Sequence, residues 1–278
     1  VLNVPGAQLH VVTVGNGPRP IVLLHGGPGA GHEYLRPQMD RLLAPERRLV
    51  YYDQRGAGAS SLAAGAPLPT ADDHVADLEA LRLHLGVERL ALCGYSWGGL
   101  LASLYLLRHP SRVERMALVS PAPLAASERA AFKERLAAMG RRPEVDALRA
   151  ALIAEEGGDP ATQRAPRDRR ARFALAVAGY FVDPRLAVGL TPFMVQQRVE
   201  ESVWKSLGDF DLRPSLAALS PRPPALVVHG EEDPIPVDGA RATAEALGAP
   251  LVALPGCGHV PYVEAPDALF AALDPFFR

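Results

Sequence analysis

The chain has 278 residues, 48% of them hydrophobic and 22% charged, with a formal net charge of −2. That composition suits a globular protein large enough for one α/β domain that carries an insertion. A balance this near neutral gives no electrostatic basis for binding nucleic acid or an anionic membrane surface. Two cysteines, Cys93 and Cys257, are too few for a disulfide framework, which makes a reducing cytoplasm the expected compartment. The opening "VLNVPGAQLHVV" lacks a basic start followed by a long apolar stretch, so it does not read as a signal peptide. The longest apolar runs fall short of a membrane span.

In chain order, "LHVVTV" (9–14) reads as a strand and "PIVLLH" (20–25) as a buried one. "GHEYLRPQMDRLL" (31–43) has helical spacing with a proline inside it. "RLVYYD" (48–53) is a strand leading into the glycine-rich loop "QRGAGAS". "TADDHVADLEALRLHLG" (70–86) is an amphipathic helix, with Thr70 or Asp72 as its cap and Gly86 as its stop. A strand "ERLALCGYS", a helix "WGGLLASLYLLRHP" and a strand "VERMALVSP" (113–121) continue the alternation. Strand and helix taking turns imply a mostly parallel sheet with helices on both faces. From 122 to 211 only helical patterns occur, in "SERAAFKERLAAMG", "EVDALRAALIAEEG", "RDRRARFALAVAGYF" and "FMVQQRVEESVWKSLG". Strand "PPALVVHG" (223–230), helix "DGARATAEALG", strand "PLVALPG" and helix "APDALFAALDPFF" then resume the alternation. The expected layout is a core of 1–121 and 212–278 interrupted by a helical cap at 122–211.

"GYSWGG" (94–99) puts Ser96 between glycines where a strand hands over to a helix, a G-x-S-x-G turn that exposes a hydroxyl as a nucleophile. Such a serine needs a histidine base. Of eight histidines, His74 and His84 fall on a surface helix, His109 ends a helix, and His10 sits in an early strand. His25 and His229 each close a strand before a glycine, where packing or backbone bonding accounts for them. His32 follows the 25–29 loop, where contact with a substrate is open. His259, in the loop "PGCGHVPYVEAP" beyond the last strand, lies at the expected carboxyl edge of the sheet and is the candidate base. Its orienting carboxylate is sought in "GEEDP", among Glu231, Glu232 and Asp233. We select Asp233; Asp238 reads better as a helix cap, and Asp53 as structural. The order Ser96, Asp233, His259 is that of the nucleophile elbow. The Trp97 amide, at a helix start, is one oxyanion donor. The second comes from "HGGPG" (25–29): Pro28 has no N–H, so Gly27 is preferred and Gly26 is the alternative.

Taken together, "HGGPG", "DQRGAGAS" (53–60), "GYSWGG", "GEEDP" (230–234) and "GCGH" (256–259) resemble the α/β-hydrolase superfamily, and within it the prolyl iminopeptidase-like group. The resemblance covers nearly all of the chain outside the cap. It implies a serine aminopeptidase that removes an N-terminal residue, often proline, from short peptides or amides, with no metal or nucleotide cofactor. It also implies acidic cap residues that read the substrate amine. Here Glu200 and Glu201 are the candidates, Glu200 the better aligned, with the solvated helix face as the other reading. Pro234 stands where some members carry a second acidic residue, so the resemblance supports hydrolase chemistry more firmly than aminopeptidase specificity. The rivals are an esterase or C–C bond hydrolase with the same three residues, and a non-enzymatic ligand receptor, against which the intact triad argues. Phe181, Phe193, Trp204 and Phe210 are candidate walls of a small apolar pocket. Cys93 reads as buried packing, and Cys257 is given no role.

Overall fold

The computed structural model describes all 278 residues. The first part of the chain forms β1 (Leu2–Val4), β2 (Ala7–Leu9), β3 (Val11–Val14), β4 (Arg19–Leu24), β5 (Arg47–Tyr52) and β6 (Ser61–Leu62). Helix α1 (Ala71–Leu85), β7 (Leu90–Tyr95), α2 (Trp97–Arg108) and β8 (Val113–Val119) follow. Then come five helices with no strand between them: α3 (Arg129–Met139), α4 (Pro143–Glu155), α5 (Arg169–Val177), α6 (Gln197–Leu207) and α7 (Arg213–Ala217). The chain ends with β9 (Ala225–Gly230), α8 (Val237–Leu247), β10 (Leu251–Leu254), α9 (Pro261–Glu264) and α10 (Pro266–Phe276).

The main sheet has the order β10-β9-β8-β7-β4-β5-β3. All its neighbours are parallel except β3, which runs antiparallel to β5. Strands β7 and β9 are buried at every residue. Covered on both faces, they read in sequence as unbroken apolar runs rather than as an alternation. The period of two still decides which layer each residue joins. Val22, Leu24, Leu92 and Leu118 pack with Leu78 of α1, Leu101 of α2 and Ala244 of α8. Ile21, Leu23, Cys93 and Val119 pack on the other face with Leu269 and Leu273 of α10. Each fully buried aliphatic side chain contributes about 1.5–3 kcal/mol of transfer free energy.

Helix α1 begins at Thr70, whose hydroxyl accepts from the Asp73 amide while the Asp73 carboxylate accepts from the Thr70 amide, and it ends at Gly86 with φ of 67°. Two expected elements differ. The strand at 9–14 breaks at His10: β2 pairs with β1 and β6 in a small antiparallel sheet, and only β3 joins the main one. The helix at 31–43 is instead two short 3₁₀ turns, Glu33–Leu35 and Gln38–Leu42. Pro37 is the reason, because it forces Arg36 into an extended conformation (ψ 149°) that a helix cannot carry. The helical insertion is clasped where it leaves and rejoins the sheet by an antiparallel bridge between Ala125 and Asp211. There the Ala126 amide donates to the Phe210 carbonyl at 2.7 Å, and the Leu212 amide to the Leu124 carbonyl at 2.9 Å.

Candidate active site

The turn from β7 into α2 places Ser96 at φ 52°, ψ −119°, a region that side-chain-bearing residues rarely occupy. Holding it there costs about 1–3 kcal/mol. The flanking glycines make the turn possible: a Cβ on Gly94 would overlap the Gly98 carbonyl, and a Cβ on Gly98 would overlap the Leu24 carbonyl of β4. The Ser96 amide donates to the Val119 carbonyl, and its own carbonyl accepts from Gly99 and Ala122. Its hydroxyl is therefore left pointing into the cavity at the carboxyl ends of the strands.

There it meets His259, whose Nε2 lies 3.1 Å from Ser96 Oγ. On the other side of the ring, Nδ1 lies 2.9 and 3.1 Å from the two carboxylate oxygens of Asp233. Asp233 is fully buried, in the turn after β9. Burial opposes its charge, but His259, His229 and the Ile235 amide, which donates to Oδ1 at 2.7 Å, outweigh that and hold its carboxyl below the usual carboxylate range. Of its rivals, Glu231 is exposed, Glu232 accepts from the Cys257 amide at 3.1 Å, and Asp238 is exposed in the first turn of α8. Asp238 is not the cap expected from the sequence, because Pro236 occupies the N-cap position.

The His259 loop is braced from three sides. The His259 amide donates to the Tyr180 carbonyl at 2.8 Å. The amides on either side of it, Gly258 and Val260, donate to Glu264 Oε2 at 3.0 and 3.1 Å, and the Val182 amide donates to Oε1 at 2.7 Å. Burial pushes the Glu264 carboxyl up, and those three amides pull it back. The sequence reading missed Glu264, because a lone glutamate in "YVEAP" carries no signal until the loop is folded around it.

The candidate amide donors separate. The Gly26 N–H is already given to the Tyr34 hydroxyl at 2.7 Å, so the alternative donor is occupied. Gly26 instead lines the cavity, and a Cβ there would lie 2.9 Å from that of Ser96. Neither Gly27 nor Trp97 donates in any turn or loop hydrogen bond, and both line the cavity beside Ser96. Their loops are tied together. The His25 ring accepts the Gln54 amide at Nε2 (3.1 Å) and faces the Gly26 carbonyl with Nδ1 (3.0 Å). Gln54 Oε1 in turn accepts from Trp97 Nε1 at 2.7 Å, and Gln54 Nε2 donates to the His25 carbonyl. Thus "HGGPG", "DQRG" and "GYSWGG" form one hydrogen-bonded unit. His32 does not line the cavity and is locked to Asp53, with Nδ1 2.7 Å from Oδ1. Burial opposes the Asp53 charge, but His32 and the Ala59 amide bring its carboxyl down to about 2. Burial pushes the Cys93 thiol up to about 12, and Cys257 is likewise raised by burial.

The cavity has a volume of about 670 Å³. Phe181, Phe193 and Trp204 line it as expected; Phe210 does not, and packs instead against the α1–α2 layer. Tyr34, Tyr95, Tyr180 and Tyr262 complete an aromatic wall. Glu200 and Glu201 both reach the cavity from α6. Glu200 is half-buried; burial raises its carboxyl, while Lys133 and Arg129 draw it down. Glu201 is exposed and accepts from Gln197 Nε2 at 2.8 Å. Arg129, Phe132 and Lys133 of α3 were not singled out from the sequence, although their i, i+3, i+4 spacing sets them on one helix face.

Residues 19–266 match the family described as alpha/beta hydrolase fold. The chain belongs to the α/β-hydrolase family. Over 103 residues it is 43% identical to a proline iminopeptidase of Lactobacillus helveticus, covering 36% of this chain and 35% of that protein. The proline iminopeptidase of Clostridioides difficile is 40% identical over 93 residues, 34% of this chain and 31% of the relative. The chain thus spans only about a third of the length of the curated relatives it matches. Among solved structures, a proline iminopeptidase-related protein of Thermus thermophilus superposes with a TM-score of 0.69 at 28% identity, covering 99% of this chain and 94% of that one. The proline iminopeptidase of Mycobacterium smegmatis has a TM-score of 0.70 at 24% identity, with 99% and 96% covered. An esterase of Exiguobacterium antarcticum has a TM-score of 0.68 at 23% identity, with 99% and 97% covered, so the fold alone does not separate peptidase from esterase. No helix is long and apolar enough to cross a membrane.

Proposed function

We propose that this hydrolase is a serine aminopeptidase of the proline iminopeptidase kind, acting on short peptides or amides through an acyl-enzyme. The observation that carries the hydrolytic chemistry is the continuous hydrogen-bonded line from Ser96 Oγ through His259 to the buried Asp233, and the half-buried Glu200 at the cavity is what favours an amine-reading peptidase. Ser96 attacks the substrate carbonyl as His259 Nε2 takes its proton, and Asp233 holds the Nδ1 proton and stabilises the imidazolium. The Gly27 and Trp97 amides receive the oxyanion, aided by the positive end of the α2 dipole. His259 returns the proton to the departing nitrogen, and water then releases the acyl group. Residues 122–211 act as the cap over this chemistry, a division that the Ala125–Asp211 bridge supports. Glu200, with Glu201 beside it, reads the substrate ammonium, since a desolvated cation needs a carboxylate partner.

The experiment is a panel of an aminoacyl amide, its N-blocked form and a short acyl ester, with a fluorophosphonate to label Ser96. Activity that is lost on blocking the amine, and whose dependence on the amine is lost in Glu200→Gln, supports the aminopeptidase. Preference for the ester supports a second reading, a carboxylesterase or C–C bond hydrolase using the same three residues. Pro234, standing where a second acid would sit, favours that second reading. Absence of fluorophosphonate labelling would leave a non-enzymatic receptor on this fold.

A further inference from the structure

Two helices of the insertion contribute opposite charges to the cavity. On α3, Arg129 and Lys133 are one turn apart and line it; on α6, Glu200 and Trp204 are one turn apart and line it. The Arg129 guanidinium is half-buried and stacked on Trp204, its carbon 3.8 Å from the ring centroid. No carboxylate pairs with it. Burial pulls the guanidinium below its ordinary range, and Glu200 is the charge that acts against this. Lys133 and Arg129 both act on Glu200 in the same way, through space and without an ion pair.

A guanidinium stacked by its face keeps its N–H edge available, and that edge matches a carboxylate in bidentate geometry. A cation half removed from water with that edge unpaired is a site in want of an anion. Trp204 lies one turn beyond Glu200, and residues so spaced on a helix have Cβ atoms about 5–6 Å apart. Two extended residues span at most about 7 Å, so a dipeptide is of a length to set its ammonium and its carboxylate against the two opposite charges of this cavity.

We propose that Arg129, assisted by Lys133, receives the free carboxylate of a dipeptide-sized substrate whose ammonium faces Glu200, so that free-acid peptides are selected over the corresponding amides. The inference rests on the hydrolase reading above. In the reaction, water adds across the amide bond: the acyl carbon gains the hydroxyl, the departing nitrogen gains the proton, and two free amino acids leave. If the two cations served only to neutralise Glu200, their loss would change free-acid and amide substrates equally.

The test compares prolyl-alanine with prolyl-alaninamide. The wild type is expected to favour the free acid by about tenfold in kcat/KM, carried by KM, the size of one charge-assisted contact. R129Q is expected to bring the two substrates within about twofold of each other, K133Q to reduce the preference in part, and R129K to retain part of it. Thermal melts and fluorophosphonate labelling of each variant establish that it is folded with a reactive Ser96. Equal kcat/KM for the two substrates in the wild type, or an unchanged preference in folded R129Q, would overturn the inference. If neither peptide is cleaved, the same pair is tested for protection of Ser96 from labelling. Protection by the free acid alone, lost in R129Q, supports the proposal; equal protection, or none by either peptide, overturns it while leaving the hydrolase reading intact. No labelling at all removes both.

Discussion

Lowering the pH from 7 to 4.5 is expected to remove about 5 kcal/mol of stability through two imidazoles, His25 and His74. Both are fully buried, and burial lowers His25 to about 4 and His74 to about 3. His25 accepts the Gln54 amide and must be neutral to do so; His74 has no partner at either nitrogen and lies near the Arg55 charge. The unfolded chain takes up a proton on each ring below about 6.5, and the folded chain does not. Stability is therefore full above that pH and falls toward the folded values, by about 1.4 kcal/mol per imidazole for each pH unit. Two units give about 2.7 kcal/mol each, a large part of the 5–15 kcal/mol of a typical domain (about 5 kcal/mol for the pair). Asp53 stays outside this window, because its carboxyl at about 2 withdraws stability only below the ordinary aspartate range. Urea denaturation at pH 7, 6, 5 and 4.5 measures the slope. H74L is expected to make it shallower by about 1.4 kcal/mol per unit, and to stabilise the protein at pH 7 by about 1–3 kcal/mol by removing two unpaired buried nitrogens. Identical slopes in wild type and H74L would refute the reasoning.

Three further outcomes follow from the site. D233N is expected to lower kcat by about 10³–10⁴-fold with little change in KM, read from steady-state kinetics, because the amide favours the wrong imidazole tautomer. G98A is expected to cost about 3 kcal/mol or to abolish soluble expression, since its Cβ would overlap the Leu24 carbonyl. E264A strips acceptors from three amides, and is expected to lower stability by about 3 kcal/mol or more in urea and to reduce kcat as the His259 loop loosens. E264Q, which keeps an acceptor oxygen, is expected to do less on both measures.

What the sequence made legible followed from constraints that are local in the chain. The buried strands of the sheet read as apolar runs because both faces are covered, and α1 carried its cap and stop in Thr70 and Gly86. Ser96 stood out because a strained turn needs small neighbours. His259 and Asp233 were singled out by their position after strands, which a parallel alternation fixes before any contact is known, and the structure brings both to Ser96. Illegible were features set by packing across the chain. The break at His10 depends on its amide donating to the Ser60 hydroxyl at 2.8 Å, fifty residues away. Glu264 became a brace only once the 180–182 segment of the insertion came to lie against it. Arg129 and Lys133 carried no signal in the sequence, because what they face depends on α6 coming to line the same cavity. In Phe210, aromatic character was visible but the layer it joins was not.

The polar residues inside this fold explain both its proposed chemistry and its expected acid lability. An amide donor works only if its loop does not move when charge develops, and here the loops of Gly27 and Trp97 are held by the His25–Gln54–Trp97 bonds. That unit needs a neutral imidazole at 25, because a protonated ring could not accept the Gln54 amide. Acid therefore attacks the support of the proposed oxyanion donors and the global fold through the same residue. Apolar packing could not replace it, since only directional bonds fix three backbone segments relative to one another. In a folded H74L variant, whose acid lability is reduced, the protection factor of the Gln54 amide, its exchange referred to the intrinsic rate at each pH, should still fall as the pH approaches 4, beyond any change at core amides of β7.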